Sequence, residues 1–216
     1  MTRPPDPAAT VVPLRRRGSN IEVGLVRKNP NLASLGGTWV FPGGRIDPED
    51  VGVSHEDRAR AAAVREANEE TGLVLNPEAL FHHAHWTTPL QYERRFATDY
   101  FLTWADAELV PDGSEIVEAQ WLTPERALAA RAAGALRLPP PTFVTLWRLH
   151  HEGESLFEAP AFRILPKPQA VDGGYVTLYD GDAGYESAEL DAKGPRHRVA
   201  LLKSGWSYQR SGLLAG

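Results

Sequence analysis

Residues 65–73 read Arg65-Glu66-Ala67-Asn68-Glu69-Glu70-Thr71-Gly72-Leu73 and close a run that starts at Ser54. Every residue from Ser54 to Glu70 is an acceptable or good helix former, five of them alanines, and Gly72 supplies the stop. Each helical residue advances about 100°, so Glu69, Glu66 and Glu70 stand at about −60°, 0° and +40° and share one face. Glu66 and Glu70 form an i,i+4 like-charge pair, which alone destabilises a helix. A divalent cation reverses that sign, because hard cations take carboxylate oxygens directly. Arg65, four residues before Glu69, is placed to pair with it and fix its rotamer. Ala59, Ala62 and Ala63 precede the carboxylates on this face and are small, which leaves room for a bulky ligand. Taken alone, three clustered glutamates describe a solvated helix face. The flanking sequence decides otherwise.

Working outward, residues 38–41 form a strand fragment that ends at Pro42-Gly43-Gly44. Residues 9–14 and 21–26 are short β-like runs around Gly18-Ser19-Asn20, which is turn chemistry, so a hairpin is expected. Downstream, strand-like stretches cover residues 80–87, 96–104 and 118–122. Thr123-Pro124 opens a helix to Ala133, with a hydroxyl cap followed by proline, and a second helix covers residues 142–151. Beyond Ala159 come short runs at 162–165, 175–179, 198–202 and 206–209, separated by Gly-containing turns and read as antiparallel strands.

A Gly-Gly turn, an acidic helix and a glycine stop in this order resemble the Nudix box, Gly-x5-Glu-x7-Arg-Glu-U-x-Glu-Glu-x-Gly-U, with U aliphatic. Residues 65–73 match every fixed position, with Ala67 and Leu73 at the aliphatic ones, and Phe41-Pro42-Gly43-Gly44 matches the lead-in. Counting back eight residues from Arg65 reaches Asp57, not Glu, with Glu56 beside it. Twelve residues then separate Gly44 from Asp57, which places a seven-residue insertion in that loop.

The resemblance implies an α/β fold: a Nudix α/β/α sandwich with a mixed sheet over residues 8–155. Outside the resemblance, a small C-terminal β extension, residues 156–216, is too short to stand alone and is expected to pack on the core or on a partner subunit. The resemblance also implies an enzyme, a diphosphatase that cleaves a nucleoside diphosphate linked to another moiety with the help of Mg2+ or Mn2+. Glu66, Glu69 and Glu70 then bind the metal with the carbonyl of Gly43, and Arg65 orients them. Glu66, Glu69, Glu115 and Glu118 are the catalytic candidates, the base for water lying among them. Arg27, Arg45 and Gly44 are the candidates for substrate binding. Arg27-Lys28-Asn29-Pro30, the segment from Trp39 to Pro48, Trp121-Leu122-Thr123-Pro124-Glu125 and Leu138-Pro139-Pro140-Pro141-Thr142 are similar to the coenzyme A and acyl-CoA diphosphatase branch. CoA or acyl-CoA is therefore the favoured substrate class. ADP-ribose or another nucleotide sugar is the alternative within the same chemistry, and a catalytically silent nucleotide-binding regulator is the alternative outside it.

Other signals are structural. On a strand, His82, His83 and His85 cannot all face one way, so they are not a zinc site. Arg15-Arg16-Arg17 reads as a solvated hairpin turn, and Asp180-Gly181-Asp182 as a turn rather than a calcium loop. The aromatic residues of the tail, Tyr175, Tyr179, Tyr185, Trp206 and Tyr208, read as core or interface. With 23 Lys and Arg against 28 Asp and Glu, the chain has a net charge of −5, which argues against nucleic-acid binding. The chain has no cysteine, so thiolate metal sites and thiol nucleophiles are excluded. No signal peptide is expected at residues 1–10, no membrane span is expected anywhere, and Leu214-Ala215-Gly216 is not a peroxisomal address. The expectation is a cytoplasmic protein with a small-molecule diphosphate as its partner and a homodimer left open.

Overall fold

The computed structural model describes residues 3–203 and 205–211. The start of the chain at Met1 and the C-terminal Leu214-Ala215-Gly216 lie outside the described residues. The chain forms two compact units: Pro7–Ala84 with Thr98–Ala161, and Met1–Asp6 with His85–Ala97 and Phe162–Gly216. The division therefore does not follow one contiguous C-terminal tail, because a segment between two central strands joins the smaller unit.

The larger unit is built on β1 (Asp6–Arg17) and β2 (Asn20–Lys28), an antiparallel hairpin in register from Leu14↔Val23 to Arg17↔Asn20. Ala9, Val11, Val12 and Leu14 of β1 are all fully buried, so both faces of this strand are covered, as in a central strand. β3 (Trp39–Val40) and β7 (Ile116–Leu122) pair with β2, and β4 (Gly43–Arg45) pairs with β1. With β5 (Phe81–Thr87) and β6 (Phe96–Trp104) the order is β3-β2-β1-β6-β5. The expected α/β class with a mixed sheet is what the chain adopts. β4 is not foreseen in the sequence, because Gly43-Gly44 has no strand propensity; its pairing with Thr10 and Ala9 creates it.

Three helices complete this unit: α1 (His55–Thr71), α2 (Pro124–Ala132) and α3 (Pro140–Glu152). Thr123 caps α2 through the amide of Arg126, as its hydroxyl suggests. Ala59, Ala62, Ala63 and Ala67 of α1 are fully buried among Val11, Leu80 and Phe101. This corrects the expectation of ligand space beside them: small side chains let the helix sit close on the sheet, and that contact fills the space.

Arg15 pairs with Glu22 at 2.8 Å and covers the Trp121 ring at 4.6 Å, while Arg16 pairs with Glu154 and lies over Trp104 at 4.7 Å. His82 shares the buried Asp99 carboxylate with His55, at 3.0 and 2.8 Å, while His83 is buried. No zinc cluster forms here among the described residues.

The smaller unit contains β8 (Phe162–Ile164) and an antiparallel sheet of β9 (Lys167–Val171), β10 (Gly174–Leu178), β11 (Arg196–Leu202) and β12 (Gly205–Ser211), ordered β12-β11-β10-β9. β9 is not foreseen, because Pro168 argues against a strand; it is tolerated there because β9 is an edge. Tyr179 is buried and meets Trp86 edge-on at 5.5 Å. Asp182 is buried, takes both oxygens to Arg198 at 2.5 and 2.7 Å, and accepts the amides of Gly184 and His197. Asp180-Gly181-Asp182 is thus a turn whose last carboxylate holds an arginine.

Candidate functional site

Helix α1 carries the site. Ser54 accepts the amide of Asp57 at 3.1 Å, and Asp57 accepts that of Ser54 at 2.9 Å, a reciprocal capping box. Gly72 ends the helix in the left-handed region, at φ 70°, and donates to Asn68. Asp57 is therefore a cap, and its carboxyl is held below the usual range by the Ser54 backbone and hydroxyl. The acidic position before Arg65 belongs instead to Asp50. Counted forward from Gly44, five residues precede Asp50, so the extra seven residues fall after it and not before. The forward count from Gly44, and not the backward count from Arg65, gives the place of the insertion.

Asp50 grips Arg65 with Oδ1 to Nε at 3.0 Å and Oδ2 to Nη2 at 2.9 Å. Arg65 reaches Glu66 at 2.9 Å, Glu69 at 3.0 Å and the carbonyl of Arg45 at 3.0 Å. The expected pairing of Arg65 with Glu69 is present, within a wider network. The Arg65 hydrogen bond holds the Asp50 carboxyl below its usual range, and Asp50 foremost raises Arg65 above its own. Arg45 contributes that carbonyl, while its side chain is exposed.

Glu66 and Glu70 continue the face whose upstream part is the buried alanine stripe, which is why they lose solvent. Burial raises the Glu66 carboxyl against the opposing pull of Arg65, and pushes Glu70 up to about 7 against the pull of Lys28 and the Gly43 amide. Gly43 donates to Glu70 Oε2 at 2.9 Å, and a Cβ on Gly44 would stand 2.3 Å from Glu66 Oε1. Glycine at position 44 is thus what lets the β4 backbone lie against the Glu66 carboxylate. Glu69 is exposed.

The opposite rim is the loop before β7. Val110 and Asp112 donate to the carbonyls of Thr71 and Glu70 at 2.9 and 3.2 Å, which attaches this loop to the end of α1. Asp112 folds the turn by accepting the amides of Ser114, Glu115 and Ile116. Asn29 then ties it to β2 through the carbonyls of Glu115 and Ser114, at 2.7 and 2.8 Å. Glu115 is placed near enough to raise both Glu66 and Glu70. Glu118 instead pairs with Arg27. The structure therefore gathers Glu66, Glu69, Glu70, Arg65, Gly43, Gly44 and Glu115, and sets Glu118 and Arg27 apart as a pair of their own. It adds Asp50, Asp112 and Lys28, whose Nζ lies 3.6 Å from Glu70 and 3.9 Å from Glu115. Asp112 has no motif signal, and Lys28, though within the Arg27-Lys28-Asn29-Pro30 segment, is not marked by it as a neighbour of Glu70; packing brings both in.

The donors are all oxygens, which suits a hard divalent cation. Two of the carboxylates are desolvated and repel each other, so the donor set fits such an ion. Among the described residues, however, no three acidic or imidazole side chains converge on one point. Arg65 engages Glu66 and Glu69, and Lys28 lies beside Glu70.

A family model described as NUDIX domain matches residues 4–141. A putative nudix hydrolase 7 of Caenorhabditis elegans is 28% identical over 162 residues, covering 58% of this chain and 54% of that protein. A probable nudix hydrolase of Schizosaccharomyces pombe is 38% identical over 69 residues, covering 32% of this chain and 22% of that protein. The chain thus spans about half the length of the first relative and less of the second. Among solved structures, a NUDIX hydrolase from Alicyclobacillus acidocaldarius superposes with a TM-score of 0.61 at 24% identity, over 74% of this chain and 94% of that one. The NUDIX domain of Shewanella oneidensis NrtR, complexed with ADP ribose, gives 0.54 at 14% identity, over 69% and 89%. At these identities the superpositions speak for the fold, and the match to residues 4–141 carries the assignment: the chain belongs to the Nudix domain family.

Proposed function

We propose that the chain hydrolyses a phosphoric anhydride bond in a nucleoside diphosphate joined to another moiety, with Glu66, Glu69 and Glu70 holding Mg2+ or Mn2+. The observation that carries this reading is the desolvated pair Glu66 and Glu70 at the end of α1, lying against the Gly43-Gly44 backbone. When bound, the metal neutralises phosphate charge and activates water. The chain's own groups do the rest. Arg65, fixed by Asp50, orients Glu66 and Glu69. Glu115 is favoured over Glu118 as the group that takes the proton of the attacking water, because it faces the carboxylates while Glu118 is engaged by Arg27. Arg27 and Arg45 remain candidates for the substrate's anionic groups.

CoA or acyl-CoA is the favoured substrate class, on the similarity of the segments around the box. ADP-ribose is the alternative, since the domain of the same fold from Shewanella oneidensis was crystallised with it. A silent regulator has less support, because three glutamates and their arginine are all present. A turnover panel with Mg2+ and Mn2+ over CoA, acyl-CoA, ADP-ribose and dinucleotides separates these readings. Glu69→Gln and Glu70→Gln should each lower turnover at least ~100-fold, the scale of losing a placed electrostatic stabiliser. No turnover of any substrate by the parent protein would favour the regulator.

A further inference from the structure

Among the described residues, Lys28 is the cation that lies beside Glu70, and the proposed hydrolysis gives it no work. Its backbone is fixed on both sides: its amide donates to Thr38 at 3.0 Å, and its carbonyl accepts from Gly37 at 3.0 Å. The neighbouring Asn29 is bound to the Glu115 loop. Only the aliphatic stem and the ammonium can move. The ammonium lies 3.6 Å from Glu70 Oε1 and 3.9 Å from Glu115 Oε2, with the side chain largely buried. Both distances are within ion-pair range and beyond a normal hydrogen bond. It is thus held between two carboxylates without being committed to either.

Arg65 differs. It binds Asp50, Glu66 and Glu69 at 2.9 to 3.0 Å, and its charge is matched by the buried Asp50. Lys28 is therefore the replaceable positive charge of the cluster. We propose that Lys28, held between Glu70 and Glu115, is an internal counter-cation: it supplies positive charge to the cluster in place of the divalent ion and gives way when that ion binds Glu66, Glu69 and Glu70. This inference rests on the metal-site reading above. A divalent ion brought within a few ångströms of the ammonium is repelled by it, so Lys28 sets an upper limit on metal affinity. Once displaced, the ammonium remains tethered at the site, on hand for an anionic substrate.

The test is calorimetric titration of Mn2+ into the full chain without substrate. Lys28→Met keeps the stem and removes the charge, and should bind Mn2+ about ten-fold more tightly than the parent. Lys28→Arg keeps the charge and should stay within about two-fold. A structural lesion predicts the opposite sign for Lys28→Met. Lys28→Gln carries the same expectation should Lys28→Met fail to fold. Unchanged or weaker Mn2+ binding in the neutral variants, with Glu69→Gln and Glu70→Gln weakened, overturns the role of Lys28 alone. Equally tight binding by Lys28→Arg and Lys28→Met also overturns it. Parental binding in both Glu69→Gln and Glu70→Gln overturns the metal-site reading instead.

Discussion

Asp50 holds Arg65 by a two-point contact, Oδ1 to Nε and Oδ2 to Nη2, from a loop fifteen residues upstream. The same carboxylate accepts the amide of Asp47 at 2.8 Å, and Arg58 binds the carbonyls of Asp50 and Asp47 at 3.1 and 3.3 Å. Loop and helix are therefore joined at two places, and Arg65 cannot turn without breaking a buried pair.

Asp50→Asn keeps the shape and removes the charge, so Arg65 is left with a poorer partner. Stability in urea should fall by about 1–3 kcal/mol, because one member of a largely buried pair is lost. Mn2+ affinity should fall as well, since the released guanidinium competes for Glu66 and Glu69. An unfolding midpoint equal to that of the parent would rule out a structural role for the pair.

Gly44→Ala separates the site from the fold. The new Cβ meets the Glu66 carboxylate, the mobile end of a side chain, so the change in melting temperature should be small. Glu66 has to move, and turnover should drop about 10–100-fold, the range for a misplaced catalytic group. Loss of stability in step with activity would place the glycine's importance in the fold.

The pH dependence of stability should carry a component from His83. Burial lowers its pKa to about 3, so it is neutral in the folded chain. Unfolded, it takes up a proton below about pH 6.5. Its contribution is whole above that pH and is lost as the pH falls toward the folded value. Between pH 6.5 and 5 the loss is about 2 kcal/mol. His83→Met should flatten the stability profile by about that amount; an unchanged acid limb in urea titrations would show that His83 is not what sets it.

In the smaller unit, Asp182→Ala leaves Arg198 buried without its carboxylate. Breaking such a pair costs about 3–5 kcal/mol. Proteolysis should then become faster at the turn before β11, with Asp182→Asn in between. Parental resistance in both variants would mean that the arginine finds another acceptor.

Much of this was legible in the sequence, and what was not has physical causes. The stop at Gly72, the shared face of the three glutamates and the pairing of Arg65 with Glu69 follow from helix geometry, which is local; Ser54, read as the first helical residue, is instead the cap. Strand β6 likewise has the bounds that its apolar run suggests. The role of Asp50 was missed because a loop has no period, so its register cannot be read from spacing counted from one end alone. Ala59, Ala62 and Ala63 were set on the right face but in the wrong surroundings: periodicity shows which residues share a face, not what covers it. Lys28 and Asp112 are long-range partners of the helix end: the segment around Lys28 points to a substrate branch and not to Glu70, and nothing near Asp112 announces its place.

The segment 51–53 begins beside the Asp50 anchor and ends at the Ser54 cap, and Val51 and Val53 are 79% and 104% exposed. Between them Gly52 lies against the first turn of the helix, where a Cβ would stand 2.5 Å from Asp57 Cβ and 2.7 Å from the Arg58 amide nitrogen. Positions 51 and 53 are therefore free variables of the scaffold, to be rewritten without retuning the carboxylates, while position 52 is not. In engineering terms the loop offers two exchangeable sites on a fixed mount.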